Sequence, residues 1–88
     1  MMSDIPKRIG KENIDGQIAR VGMIAELDAV NLYEQMAAAT GNPKLKEVLL
    51  DIAKEEKTHV GEFQAMLLKG DKQQMTELET GRKEVEKA

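Results

Sequence analysis

Residues 34–50 read EQMAAATGNPKLKEVLL, and the four letters TGNP (40–43) at their centre decide the architecture. Gly41 suits a C′ position, Asn42 an N-cap and Pro43 a first helical turn, so one helix ends here and another begins. Backwards from this point, helix-favouring residues run to about Asn13 or Asp15. Forwards, they run to about Lys69, where Gly70 stops the run and Asp71 suits the cap of a third segment. A link this short makes the two long helices antiparallel neighbours. The expected fold class is therefore all-α, an antiparallel two-helix hairpin with a short C-terminal helix. That last helix is weakly encoded: its apolar residues are Met75, Leu78, Val85 and Ala88, and Gly81 interrupts it, so it is expected to pack loosely or fray. Residues 1–12, with Pro6 and Gly10, read as an irregular arm, which leaves 13–88 as the helical domain.

With 88 residues the chain makes one domain at most, and chains this short need disulfides, a metal or a partner to supplement the core. There is no cysteine, which excludes disulfides, zinc ribbons, thiolate iron sites and cysteine nucleophiles together. Metal binding through Glu, Asp and His, or oligomerisation, is what remains. The net charge of −3, with lysines dispersed among acids, argues against a nucleic-acid surface. No apolar run reaches membrane-spanning length, and MMSDIPKRIG (1–10) lacks the apolar core of a secretory signal, so a cytoplasmic location is expected.

Two long helices alone enclose no core. On a wheel of about 100° per residue, Ala19, Met23, Val30, Tyr33 and Ala37 form one stripe of the first helix. Ile14, Ile18, Val21, Ala25 and Leu32 form an adjoining one, more apolar surface than a single neighbour buries. Self-association follows as the economical answer. Within the first stripe stands Glu26, between Met23 and Val30. The second helix repeats the anomaly: Leu45, Leu49, Ile52, Val60, Phe63 and Leu67 make an apolar stripe with Glu56 at its centre and His59 three residues on. Burying a carboxylate among aliphatic groups costs several kcal/mol unless something compensates. Glu26 and Glu56 lie about equally far from the link, so the hairpin sets them at similar height and a cation becomes the natural compensation. Two chains about a twofold axis would offer four carboxylates and two imidazoles, the ligand set of ferritin-like di-metal bundles. The donor types suit iron or manganese, and also hold zinc. Against this stands chance: Glu is 11 of 88 residues, so one precedes a lone His by three positions about one time in eight. In that reading His59 is a half-buried helix histidine and Glu56 pairs with a lysine.

The stretch AELDAVNLYEQMA (25–37), followed by EEKTHVGEF (55–63), resembles the ferritin-like proteins packaged inside encapsulin nanocompartments. The resemblance covers about residues 15–85, including GNPKLKEVLLDIAKEE (41–56) between the motifs. It implies a hairpin subunit that dimerises into a ferritin-like four-helix bundle with a di-iron ferroxidase centre at the interface. It further implies a higher homo-oligomer such as a decamer, and an encapsulin shell as partner. Glu26, Glu56 and His59 then match the metal ligands, and Tyr33 a tyrosine near the iron. Asp28 falls where some members place an acid of an outer metal-access site. Ala25 and Leu32 replace that site's second acid and its tryptophan. Glu62, one turn beyond His59, is an accessory ligand or an ordinary surface acid. The tail GRKEVEKA (81–88) carries no apolar docking peptide of the kind that targets cargo to shells.

The expected function is oxidation of Fe(II) to Fe(III) by oxygen or peroxide at a di-iron centre shared by two subunits. A rubrerythrin-like peroxidase would use a similar site, but the CxxC pairs of a rubredoxin domain are absent. A di-iron hydroxylase would need a substrate pocket that two lean helices scarcely provide. A metal-free helical assembly module, with the stripes serving only as a dimer seam, is the reading from another class.

Overall fold

The computed structural model describes residues 14–88, so the arm expected over 1–12 lies outside the described residues. Three helices follow in order: α1 (Ile14–Ala39), α2 (Pro43–Gly70) and α3 (Lys72–Lys87). α1 and α2 pack along one another as the antiparallel hairpin. Residues at similar distances from the link meet across it: Glu26 faces His59, and Gly22 lies against Phe63, while the long side chain of Lys57 reaches along the seam to Glu34 at 3.0 Å.

The link works through side chains. Asn42 is extended (φ −92°, ψ 111°), and its Oδ1 accepts from Lys44 N at 2.9 Å and Leu45 N at 3.1 Å. Those are two of the donors that the start of α2 would otherwise leave without partners. Thr40 Oγ1 accepts from Asn42 N at 3.1 Å, and Pro43 opens the helix. The C′ role read for Gly41 involves no left-handed backbone, since no described glycine has a positive φ. Thr40 and Asn42 close the corner by binding the backbone themselves.

The seam between the long helices is built from small and branched residues. Ala19, Val30 and Ala37 of α1 and Leu49, Ala53 and Leu67 of α2 are buried. Leu45, expected in the apolar stripe of α2, is exposed. The reason is geometric: the stripe is wider than one facing helix covers. The Cα atoms span 47 × 39 × 19 Å, and a helix with its side chains is about 10–12 Å thick, so the shortest dimension is two helices deep. One flank consequently carries exposed Ile14, Ile18, Leu32 and Met36 of α1 beside Leu45, Val48 and Met66 of α2.

α3 folds back on the other flank. Gln74 and Leu78 meet Arg20, Met23, Ile24, Leu27 and Leu67 around a shallow apolar recess, yet no α3 residue is buried. Asp71 makes the bend (φ −133°, ψ 89°) and serves two partners. Its Oδ1 accepts from Gln74 N at 2.9 Å, capping α3, while Oδ2 accepts from Arg20 Nη2 at 2.6 Å, tying α3 to α1. The interruption expected at Gly81 does not occur, and α3 runs through it. Arg82 pairs with Glu79 one turn back, across the glycine, and with Glu86 one turn on at 2.6 Å, so one ion pair spans Gly81 and a second continues from it. The Arg82 guanidinium holds the Glu79 carboxyl below the usual carboxylate range, and the two acids raise Arg82 in turn. Among the described residues no helix is long and apolar enough to cross a membrane.

The two duties of Asp71 separate by substitution. Asp71→Asn keeps a good N-cap and removes the charge pair, which should cost about 1 kcal/mol because Arg20 retains 40% of its exposure and solvent screens the pair. Asp71→Ala removes the cap as well and should cost about 1 kcal/mol more. Urea unfolding at fixed chain concentration measures both; equal losses would show that the cap contributes nothing.

Candidate metal centre

α1 presents Glu26 from the row that holds Ala19, Val30 and Ala37 against α2, which brings a carboxylate to the edge of the seam. α2 presents Glu56 and, three residues on, His59 beside it. The two carboxylate side chains retain 20% and 19% of their exposure and the imidazole 43%. Each residue offers one donor atom, and the three donors lie within 4.8 Å of one another. His59 Nδ1 stands 3.4 Å from Glu26 Oε2 and 3.5 Å from Glu56 Oε2.

These separations are poor for hydrogen bonding and good for sharing an ion. A neutral imidazole carries at most one proton on Nδ1 and serves one acceptor, and 3.4–3.5 Å is the outer edge of such a bond. Ligands about 2.1 Å from one ion, by contrast, stand about 3.0 Å apart at octahedral angles and about 3.4 Å apart at tetrahedral ones. The charge balance agrees. Among the described residues neither Glu26 nor Glu56 pairs with a lysine or arginine. Lys57, beside Glu56 in sequence, reaches Glu34, and Arg20 is taken by Asp71. Among the described residues, the lysine partner that an incidental Glu56 would need is thus missing. Two carboxylates and an imidazole form a donor set that fits iron, manganese or zinc.

Tyr33 is half-buried, two turns along α1 from Glu26 and on the same side of the helix. Asp28, two residues from Glu26, stands roughly 200° around the helix. It is exposed beside Ile24, Leu27 and Asn31, away from the three donors. Glu62 is exposed and also outside the cluster. One neighbour was not legible in advance. Gly22, one turn before Glu26, receives the ring of Phe63, one turn after His59. A glycine inside a long helix, four residues from a half-buried acid, hints at a close approach but not at what approaches.

The sequence profile of the EncFtn-like family matches residues 2–85. The chain belongs to that family. A ferritin-like-encapsulin shell fusion protein of Pyrococcus furiosus is 55% identical over 69 residues, covering 78% of this chain. The chain spans only a fifth of the length of that relative. The crystal structure of an encapsulated ferritin domain from Pyrococcus furiosus has a TM-score of 0.86 to the hairpin and its third helix. The match has 46% identity and covers 93% of this chain and 84% of that one. The fold of this EncFtn-like chain is thus that of an encapsulated ferritin domain, as the resemblance implied.

If the three donors share an ion, binding stabilises the folded chain by mass action, about 2.7 kcal/mol at a hundredfold excess over Kd. Mn(II) should therefore raise the Tm of the metal-stripped protein, and His59→Ala should abolish the rise. Glu62→Gln and Asp28→Asn should leave it in place. Differential scanning calorimetry with and without Mn(II) decides, and a rise that survives in His59→Ala would place the ion elsewhere.

Proposed function

We propose that this chain is a ferroxidase: it oxidises Fe(II) to Fe(III) at a dinuclear centre completed by a second copy of itself. The gathering of Glu26, Glu56 and His59 donors within 4.8 Å, without a basic partner among the described residues, carries this reading. One chain supplies three protein donors, too few for two iron ions, whereas two copies supply six. The exposed apolar flank supports the pairing, since Ile18 and Met66 of that flank border the Phe63 side of the site. Fe(II) is the substrate, and each ion gives up one electron to oxygen or peroxide.

In this reading Glu26, Glu56 and His59 of both copies would hold the two irons, with Glu56 or its copy the ligand they would share and Glu26 and His59 each serving one ion. Carboxylates serve both oxidation states because they shift between one- and two-oxygen binding, and the accumulated negative charge lowers the cost of the extra positive charge on Fe(III). The half-exposed His59 leaves a way in from solvent. Tyr33, half-buried two turns from Glu26 on the same side of α1, would be the tyrosine near the iron in this reading. Iron storage or detoxification would follow, with manganese or zinc as substitutes that bind without turnover. A higher oligomer and association with an encapsulin shell belong to the same reading. Their support is the named shell fusion of the relative and not any feature of the described surface.

A metal-free assembly seam is the competing reading, supported by the same apolar flank. Anaerobic titration of the stripped protein with Fe(II) separates them. Saturation near one iron per chain, followed by oxidation on admitting oxygen or peroxide, is expected, with both lost in Glu56→Ala. An absence of tight binding, with Glu56→Ala at least as stably associated as the parent, would leave only the seam.

A further inference from the structure

Gly22 and Phe63 occupy a special level of the hairpin. Gly22 is one turn before Glu26 on α1, and Phe63 is one turn after His59 on α2, so the pair stands directly beside the donors. The ring lies against bare backbone: a Cβ at Gly22 would stand 2.7 Å from Phe63 Cε1 and 2.8 Å from both Cδ1 and Cζ. Carbon atoms of unbonded groups meet at about 3.5–4.0 Å. No residue but glycine therefore permits this approach, and three ring atoms, not one flexible tip, make the contact.

We propose that Phe63, seated on Gly22, is a positioning residue for the metal centre: it sets the separation of α1 and α2 at which Glu26 and His59 donors come together. The inference rests on the metal reading of those donors and adds to it a group that touches no ion. Admitting a Cβ at Gly22 requires the ring or the helix to retreat by at least about 0.8 Å at Cε1, the shortfall from ordinary carbon contact. Glu26 is a single turn away on the same rigid rod, so the displacement reaches its carboxylate nearly undiminished. Binding constellations tolerate about 0.5 Å before affinity falls. The seam at other levels is closed by Ala19, Ala37 and Ala53, all buried, whose side chains leave the helices little room to pivot and compensate. The same ring also walls the cluster on the side facing the open end of the hairpin, where Asp15, Ile18, Ala19 and Met66 border it.

The test uses Co(II), whose visible absorption reports ligand geometry, on the full chain freed of metal. Gly22→Ala should keep its helix content and state of association while its Co(II) Kd rises about tenfold or more, as for other groups that orient ligands. Its Co(II) spectrum should change. Phe63→Leu, which preserves an apolar side chain but lacks Cε1 and Cζ, should show a smaller weakening with a similar spectral change. Combining Gly22→Ala with Phe63→Ala removes the clash but also the ring that sets the separation, so it should recover only part of the affinity lost in Gly22→Ala and bind no better than Phe63→Leu. A lower Tm of the metal-free Gly22→Ala protein with parental Kd and spectrum would overturn the inference and leave a packing contact. If Gly22→Ala does not fold, parental Kd and spectrum in Phe63→Leu overturn it equally. An absence of Co(II) binding by the parent chain would instead sink the metal reading, and this inference with it.

Discussion

Two carboxylates held at one level of a helical hairpin, without a basic partner among the described residues, are the constraint on which the rest turns. At separations below 5 Å and an effective dielectric near 20, two such charges repel by on the order of 3 kcal/mol. Partial burial adds desolvation to that cost. Among the described residues the hairpin offers one imidazole against it, shared imperfectly between both acids. A fold that merely needed a seam would gain by replacing either glutamate with leucine. Two acids there are intelligible if a cation offsets them, and the seam that holds them close then belongs to the chemistry as much as to the fold.

The remaining devices maintain that level. Asn42 and Thr40 fix the corner, and a slip of one residue at the corner would carry Glu26 or Glu56 about 100° around its helix and away from the other. Asp71 ties α3 to Arg20 on the flank away from the Gly22 and Phe63 contact. That arrangement leaves the flank beside the donors uncovered, with Ile18, Leu32, Leu45 and Met66 exposed. An isolated chain would keep that surface wet at roughly 25 cal/mol per Å². The proposed pairing removes this penalty and completes the ligand set with a single operation, which is why one short chain suffices for a site that larger folds build from four of their own helices.

Much of this was legible in the residues. TGNP placed the corner, and equal distances from it put Glu26 and Glu56 together before any coordinates were known. His59 followed from its spacing to Glu56. What escaped depended on which side chains find one another in the folded chain. Gly81 looks like a break until Glu79 and Arg82 are seen to pair across it, with Glu86 adding a second pair to Arg82. Leu45 looks like core because periodicity shows that a stripe exists and not how much of it a neighbour covers. Gly22 carries no local signature of its purpose, since the ring that requires it lies on another helix. Local chemistry is readable locally, whereas the use of an absent side chain is readable only in the pair.

The thinness of the molecule bears on the proposed chemistry as well. Among the described residues, a hairpin two helices deep encloses no volume in which ferric mineral could accumulate, and doubling it into a bundle would add a packed core, not a cavity. Under the proposed function, oxidation and storage would then be separate tasks. If the donors turn over iron, the Fe(III) has to leave a site whose carboxylates hold it more tightly than they held Fe(II). Exit therefore needs either weak terminal ligands or a competing sink nearby. His59, the most exposed of the three donors, is the ligand best placed to let go. A surrounding compartment that removes the product would supply the sink, and that requirement gives the shell named in the relative a physical reason.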